Sequence, residues 1–124
     1  MDEKYILNEK GEPVVEPDIK KWGEFFSKSD KRRVANETID GVRISTVFLG
    51  IDHSYDGGCP LLWETMTFCE GMEHPELNEL QERCGGNFED ARIMHAKMKF
   101  KILDALIIEA LGKNHNDIFA GGTI

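Results

Sequence analysis

Three side chains that can carry positive charge recur at helical spacing in the second half of the chain. Arg92, His95 and Lys99 are three and four residues apart, so on a helix they share one face. The same face holds apolar residues, where an unpaired charge is too costly to bury. We therefore expect these side chains to pair with acidic groups of the same domain, to bind an anion, or to reach water beyond the packed edge.

Aromatic residues followed by paired arginines form a second candidate for ligand binding. Trp22 and Phe25 precede Arg32 and Arg33. Aromatic rings and guanidinium planes stack on nucleotide bases, and guanidinium groups also bind phosphate oxygens. Aromatic residues at helical spacing are more often part of the core, so the adjacent arginines carry the functional interpretation. The ligand-binding residues predicted from both sets are Trp22, Phe25, Arg32, Arg33, Arg92, His95 and Lys99.

The distribution of charge favours a compact anion site. The 124 residues include 15 Lys and Arg and 23 Asp and Glu, for a net charge of −8. This excess of acid excludes generic binding to nucleic acid or anionic lipid through bulk charge. However, 10 of the 15 basic residues lie in segments 20–33 and 92–101. Such concentration indicates either an anion site or two solvated helix faces.

Residues that could catalyse a reaction occur without a recognisable motif. Asp52 and His53 open a glycine-rich loop, and Glu64, His74 and His95 could converge on them as metal ligands. No two of these residues have the close spacing of a helical zinc motif, so the simpler interpretation is a loop fixed by hydrogen bonds. Phosphate-loop and serine-triad motifs are absent from the sequence. We predict no catalytic residue, no metal site and no cofactor.

The cysteines and the hydropathy of the chain indicate where the protein is found. Cys59, Cys69 and Cys84 lie 10 and 15 residues apart, and this odd number matches neither a zinc motif nor a disulfide framework. No run approaches the roughly 20 apolar residues of a membrane-spanning helix, and the first residues are too acidic for a signal peptide. We therefore expect free thiols in a cytoplasmic protein.

The elements that would position these residues predict an α+β fold, an antiparallel β-sheet with a short N-terminal helix and a long C-terminal helix. Asp18 is expected to cap the short helix. The Asp40-Gly41 pair predicts a two-residue hairpin turn between strands over 32–39 and 42–50. This turn places Ala35 opposite Thr46 and Arg33 opposite Phe48. Further strands are predicted at 5–7, 61–68 and 81–84.

The long helix is predicted to start after an N-cap at Asn87, with Asp90 three residues later. It runs from Phe88 to about Leu111, and the segment 102–111 is apolar almost all the way round. A helix of this kind needs cover on more than one side, so we expect a homo-oligomer, a dimer or higher. The length fits one domain over 1–111, followed by a C-terminal tail over 112–124.

Three segments occur in a specific order: KRRVA at 31–35, RISTVFLGIDH at 43–53 and PLLWETM at 60–66. With the Tyr-Ile-Leu start and a Trp-x-x-x-Phe helix, this order resembles small proteins carried by phages and prophages, over roughly residues 5 to 100. Within that group the chain resembles the first family of Thoeris anti-defence proteins. The loop between Cys69 and Cys84 and the apolar C-terminal segment depart from the family pattern.

The resemblance implies an oligomeric sponge in the cytoplasm of the host cell. Such proteins bind cyclic ADP-ribose isomers made by TIR-domain defence enzymes, reversibly and without cleavage, in pockets between protomers. We therefore expect a cyclic nucleotide and further copies of the chain as partners, and neither nucleic acid nor membrane. Two alternatives remain open. One is a metal-assisted phosphodiesterase or hydrolase using Asp52, His53, Glu64 and His95; the other is an acidic inhibitor that binds a host protein.

Overall fold

The computed structural model describes residues 3–28, 30–52, 54, 58–71 and 73–120, without the side chains of 113–120. Its strands are β1 (Tyr5–Leu7), β2 (Pro13–Val15), β3 (Arg33–Ile39), β4 (Val42–Phe48), β5 (Trp63–Cys69) and β6 (Gln81–Cys84). Its helices are α1 (Ile19–Lys28) and α2 (Phe88–Ala120), with 3₁₀ turns at Asp30–Arg32 and Pro75–Leu77.

The four longer strands form one antiparallel sheet in the order β3-β4-β5-β6, and β1 pairs with β2 in a separate two-stranded sheet. Buried and half-buried side chains alternate along β4 and β5, as in a sheet packed on one face. The buried residues of β4 and β5 cluster with those of α2. Phe25 of α1 contacts Phe48 of β4, with 6.1 Å between ring centroids. Both helices thus cover one face, and the predicted α+β fold is confirmed.

The hairpin turn predicted at Asp40-Gly41 is confirmed. The φ angle is 48° at Asp40 and 81° at Gly41, which are the left-handed conformations that a two-residue hairpin turn requires. Pairing between β3 and β4 follows the predicted register from this turn back to Ala35 and Thr46. The turn therefore fixes which residues of β3 face α2.

The predicted pairing is wrong at the far end of the hairpin. Arg33 lies opposite Val47 instead of Phe48, because the register shifts between Arg33 and Ala35. One additional residue, Val34, forms a β-bulge there. The bulge allows Val34 to pack against the hydrophobic core. The predicted register assumed regular alternation along the strand, which does not include a bulge that tertiary packing favours.

Helix α1 begins and packs as its sequence predicts. The Asp18 carboxylate accepts a hydrogen bond from the backbone N–H of Lys20 at 2.9 Å, as an N-cap residue does. The helix ends at Lys28. Trp22 and Phe26 pack against Gly50, where φ is 74° and a side chain would collide with the Phe26 ring.

Helix α2 starts at the predicted N-cap and is longer than predicted. The backbone N–H of Asn87 donates to Asp90 Oδ2 at 2.9 Å, and the backbone N–H of Asp90 donates to Asn87 Oδ1 at 3.2 Å. The helix passes the expected end near Leu111 and continues to Ala120. It thereby includes most of the segment assigned to the tail; residues 121–124 lie outside the described residues.

The core forms two clusters under α2. The first contains Phe48, Trp63 and Met94, and the second contains Ile44 and Ile102 among its buried residues.

No helix among the described residues combines the length and the apolar content needed to cross a bilayer.

Candidate functional site

The face of α2 that was predicted to bind an anion contacts an acidic residue of the hairpin. His95 Nε2 lies 2.8 Å from Glu37 Oε1, and Lys99 Nζ donates to Glu37 Oε2 at 3.2 Å. His95 Nδ1 lies 2.7 Å from the hydroxyl of buried Thr46. Of the three expectations for these residues, pairing within the domain describes His95 and Lys99. The Glu37 carboxylate occupies the position that an anionic ligand would take.

Glu37 is held in its ionised form by this arrangement. The hydrogen bond from His95 lowers the pKa of Glu37 most strongly, partial burial opposes that effect, and the contact with Lys99 adds to it. The ionised carboxylate links β3 to α2 across the edge of the packed face. These contacts give His95 and Lys99 a structural role within the domain.

Arg92 lies apart from that cluster. Its side chain is exposed, and Nη1 lies 3.4 Å from Glu89 Oε2 one helical turn earlier. Contacts of this type on a helix surface contribute little to stability. The structure thus separates Arg92 from His95 and Lys99, although the three residues share one helical spacing.

The aromatic residues predicted to stack on a base belong to the core packing. Trp22 Nε1 donates to the carbonyl oxygen of Gly50 at 3.2 Å, and its ring centroid lies 4.9 Å from that of Phe26. Phe25 lies half-buried between Phe26 and Phe48. These contacts therefore agree with the interpretation of Trp22 and Phe25 as residues that pack within the domain.

Among the described residues, the cation–π contacts involve neither of the paired arginines. Arg32 ends a 3₁₀ turn and is half-buried. Exposed Arg33 lines a shallow depression of about 330 Å³ together with Lys10, Lys31 and Phe88. This depression brings together three cations, and its volume is at the lower end of the range for ligand sites.

A groove with a volume of about 660 Å³ lies between β6 and α2. We call it the β6–α2 groove. On its α2 side the groove is lined by exposed Ile93 and by the almost completely buried Met94 and Met98. The charged residues of the same helix that line it are Asp90, Lys97 and Lys101.

Two glycines shape the end of this groove. Strand β6 ends at Cys84, and Gly85 and Gly86 connect it to the cap of α2. A side chain at Gly85 would lie 2.6 Å from the Pro60 carbonyl oxygen, and Gly86 has a φ of 83°. The Gly86 carbonyl oxygen also accepts a hydrogen bond from Trp63 Nε1 at 2.8 Å. This tight connection holds the start of α2 against β5 and leaves the side next to β6 open.

The two lysines of the β6–α2 groove differ from Arg92 and Lys99, the other cations of α2 whose side chains the structure describes. Lys97 and Lys101 are exposed, four residues apart, and therefore neighbours on the helix surface. Neither has an ion-pair partner among the described residues, in contrast to Arg92 and Lys99. Lys97 and Lys101 are thus available to an anion.

The two acidic residues that line the groove formally balance the charge of its two lysines. Glu82 and Asp90 both line it, and Asp90 accepts the capping hydrogen bond from Asn87. Arg83 contributes to the lining, but its Nε donates to Glu64 Oε2 at 2.9 Å. Lys97 and Lys101 are therefore the cations of this lining that have no ion-pair partner among the described residues.

Two cysteines contribute to the lining of the groove. All three cysteines are unpaired, as predicted, and two of them, Cys59 and Cys84, line the groove. Burial, assisted by the nearby carboxylate of Asp90, raises the pKa of the Cys84 thiol. The Cys84 sulfur is therefore protonated at neutral pH and a poor nucleophile.

The residues of the hydrolase alternative do not converge where the structure describes them. Glu64 lies opposite Arg83 on the sheet face away from the helices, whereas His95 contacts Thr46 on the covered face. Asp52 Oδ1 accepts hydrogen bonds from the backbone N–H groups of Ser54 and Leu61 at 2.8 and 2.9 Å. That arrangement confirms the loop-fixing interpretation for Asp52; His53 lies outside the described residues.

Comparisons with models of protein families, with curated proteins and with solved structures find no match to this chain. The candidate site therefore rests on the geometry of the described residues.

The prediction of site residues from the sequence did not include the two lysines of the β6–α2 groove. Lys97 and Lys101 belong to the basic segment 92–101 that the charge pattern identified. Their spacing of four residues, alongside Met94 and Met98, was the available signal. The choice between the two faces of the helix depended on Glu37, which is distant in sequence and neutralises the face that was selected.

Proposed function

We propose that this protein binds a small phosphorylated nucleotide in the β6–α2 groove and holds it without cleaving it. The observation that carries the proposal is the pair of unpaired cations, Lys97 and Lys101, beside an apolar surface in a groove of about 660 Å³. Ligand sites for small molecules fall in this range of volume and combine apolar walls with a few charged groups.

The chemistry of the groove suits the two parts of a nucleotide. Side chains four residues apart on a helix have Cβ atoms about 5–6 Å apart, so Lys97 and Lys101 can contact adjacent phosphate groups. Ile93, which is 49% exposed, offers apolar surface in the same lining. A base would lie against Ile93 while the lysines bind the phosphates.

The resemblance to the first family of Thoeris anti-defence proteins supports one ligand class within this proposal. We propose a cyclic ADP-ribose isomer as the ligand and sequestration of that signal as the function. A phage protein with this function would block TIR-based bacterial immunity by removing the signal. The protonated Cys84 thiol and the separation of Glu64 from His95 both favour binding over hydrolysis.

The exposed side of α2 supports assembly of the protein as a homo-oligomer. Ile93, Phe100 and Ile107 repeat every seven residues and are 49%, 70% and 55% exposed. Ala96, Leu103 and Ala110 follow each of them by three residues, which completes the apolar pattern of a coiled-coil seam. A second copy of the same helix is the occupant that fits, because a seam of this kind is self-complementary.

Assembly through this seam would also affect the ligand site. Ile93 belongs both to the seam and to the lining of the β6–α2 groove. A partner helix on the seam would therefore lie at the margin of the groove. This geometry agrees with the pockets between protomers that the resemblance implies.

Recovery of the ligand after binding tests the proposed function. Cyclic ADP-ribose isomers are incubated with an excess of protein, the mixture is filtered, and the retained protein is heat-denatured. We expect the ligand to be depleted from the filtrate and then released unchanged, as measured by chromatography. A converted product would contradict sequestration and support the hydrolase alternative. The double variant K97A/K101A serves as the control that should leave the ligand in the filtrate.

A further inference from the structure

His74, which lies outside the β6–α2 groove, is held between two carboxylates from distant parts of the chain. It precedes the 3₁₀ turn Pro75–Leu77, and only 7% of its surface is exposed. His74 Nε2 lies 3.1 Å from Asp40 Oδ2 in the hairpin turn, and Nδ1 lies 3.0 Å from Glu109 Oε2 on α2. Both ring nitrogens are therefore oriented by carboxylates.

A third carboxylate completes this cluster. One ring nitrogen of His74, one carboxylate oxygen of Glu76 and one of Glu109 all lie within 4.8 Å of one another. Together with Asp40, three acidic side chains surround a single imidazole. One imidazole nitrogen together with carboxylate oxygens from two different elements is a donor set that binds divalent cations in proteins.

We propose that His74, Glu76 and Glu109 form a binding site for a divalent transition-metal ion of the zinc type. Zinc binds imidazole nitrogen and carboxylate oxygen at about 2.0–2.2 Å, which places two tetrahedral ligands roughly 3.3 Å apart. The present separation of 3.0 Å between His74 Nδ1 and Glu109 Oε2 is close to that value. For this pair, binding needs a shift of only a few tenths of an ångström, and the exposed Glu76 side chain, whose oxygen lies within 4.8 Å of both atoms, would complete the site.

Asp40 supplies the outer contact that such a site needs. A histidine that ligates a metal through one nitrogen almost always donates its other N–H to a carboxylate or carbonyl, which fixes the ring. Asp40 is in the position to accept that hydrogen bond from His74 Nε2. Asp40 is therefore the orienting residue, while Glu76, which is exposed, leaves one side of the ion open to water.

The donor set selects among cations. A nitrogen ligand together with carboxylates suits zinc and its neighbours, whereas magnesium and calcium prefer oxygen ligands alone. The ion would join the 3₁₀ turn before β6 to α2, near the hairpin turn. Its effect is therefore on the docking of α2, independently of any nucleotide in the β6–α2 groove.

Calorimetric titration of the metal-depleted full chain with Zn²⁺ tests the site. We expect one ion per chain and a higher melting temperature, with no comparable effect of Mg²⁺. Glu76→Gln is the main variant, because it removes a ligand without touching the hydrogen bonds of His74, so the fold is retained. This variant and Glu109→Gln should weaken Zn²⁺ binding at least about tenfold, and Asp40→Asn about 10- to 100-fold.

Two controls separate this site from other zinc-binding groups. Glu70→Gln removes an exposed charge outside the cluster, and Cys59→Ser removes an exposed thiol; both should bind Zn²⁺ like the wild type. The site is refuted if the wild type binds no Zn²⁺ at about 100 μM. It is equally refuted if Glu76→Gln and Glu109→Gln keep wild-type affinity, or if Cys59→Ser abolishes binding.

Discussion

At the scale of single residues, Glu37 determines which cations of α2 are available to a ligand. Its carboxylate bonds to His95 and Lys99, and this pairing removes both from the predicted anion site. The spacing of residues 92, 95 and 99 predicted that their side chains act together. This is true of His95 and Lys99, which share Glu37, whereas Arg92 pairs with Glu89. A partner 58 residues away from His95 in sequence could not be predicted, because its approach depends on the packing of α2 across the hairpin.

Replacement of Glu37 by Gln should destabilise the protein in a pH-dependent manner. The folded state lowers the pKa of Glu37 below its ordinary value of 4.5, so its stabilising effect is present above that value. The effect is lost as the pH falls through the lower pKa of the folded state. We expect Glu37→Gln to unfold at a lower temperature than the wild type near pH 6, with about 1 kcal/mol lost.

Thermal unfolding of both proteins between about pH 3 and pH 7 measures this effect. The difference in melting temperature should shrink steadily below pH 4.5. Glu24→Gln, an exposed position on α1, provides the matched loss of one charge. A difference for Glu37→Gln that stays constant over the whole pH range would contradict the account of this carboxylate.

At the scale of elements, the connection from β6 to α2 creates the β6–α2 groove. Turn and cap residues predicted the start of α2 and the hairpin turn, because Asn87, Asp90 and Asp40-Gly41 act on neighbouring backbone groups. The bulge at Val34 and the open side of β6 were not predictable in the same way. Both follow from how the sheet and α2 share one core, which depends on contacts between distant segments.

Asp90 links the stability of α2 to the charge of the groove, and its replacement by Asn should change the two in opposite directions. The Asp90 carboxylate accepts the capping hydrogen bond from Asn87, and it also lines the groove. Asp90→Asn should lower the free energy of unfolding by up to about 1 kcal/mol. It should also raise the affinity for an anionic ligand roughly two- to threefold, since one like charge is removed.

Denaturant unfolding and calorimetry on the same Asp90→Asn sample give both quantities. Glu89→Gln, at the neighbouring exposed position in the first turn of α2, is the comparison, since it does not line the groove. If Asp90→Asn weakens ligand binding, the groove does not bind an anion through its lysines.

At the scale of the whole molecule, the exposed seam of α2 predicts assembly. The sequence indicated that the apolar segment 102–111 needs a partner, but it could not separate the residues that face the core from those that face outward. Leu106 packs against the second core cluster, whereas Phe100 and Ile107 are exposed. Direct tests of assembly should therefore change Phe100 and Ile107.

The double variant F100E/I107E should be monomeric, because it places four charges on the seam of each dimer where apolar contact is expected. Analytical ultracentrifugation of the wild type at micromolar concentration should show a dimer or a larger oligomer. Ile19→Glu changes an exposed apolar residue of α1 and should leave the oligomer intact. A wild type that sediments as a monomer would show that the seam has another role.

Calorimetric titration with cyclic ADP-ribose isomers tests the central claim, that Lys97 and Lys101 bind the phosphates of a nucleotide, most directly. The wild type should bind, and Lys97→Ala or Lys101→Ala should each lose about 1.5–3 kcal/mol, roughly ten- to a hundredfold in affinity. Arg92→Ala, which removes an exposed cation paired with Glu89, should bind like the wild type. Wild-type affinity in both lysine variants, with loss of binding in Arg33→Ala instead, would contradict the claim and assign the ligand to the depression beside β3.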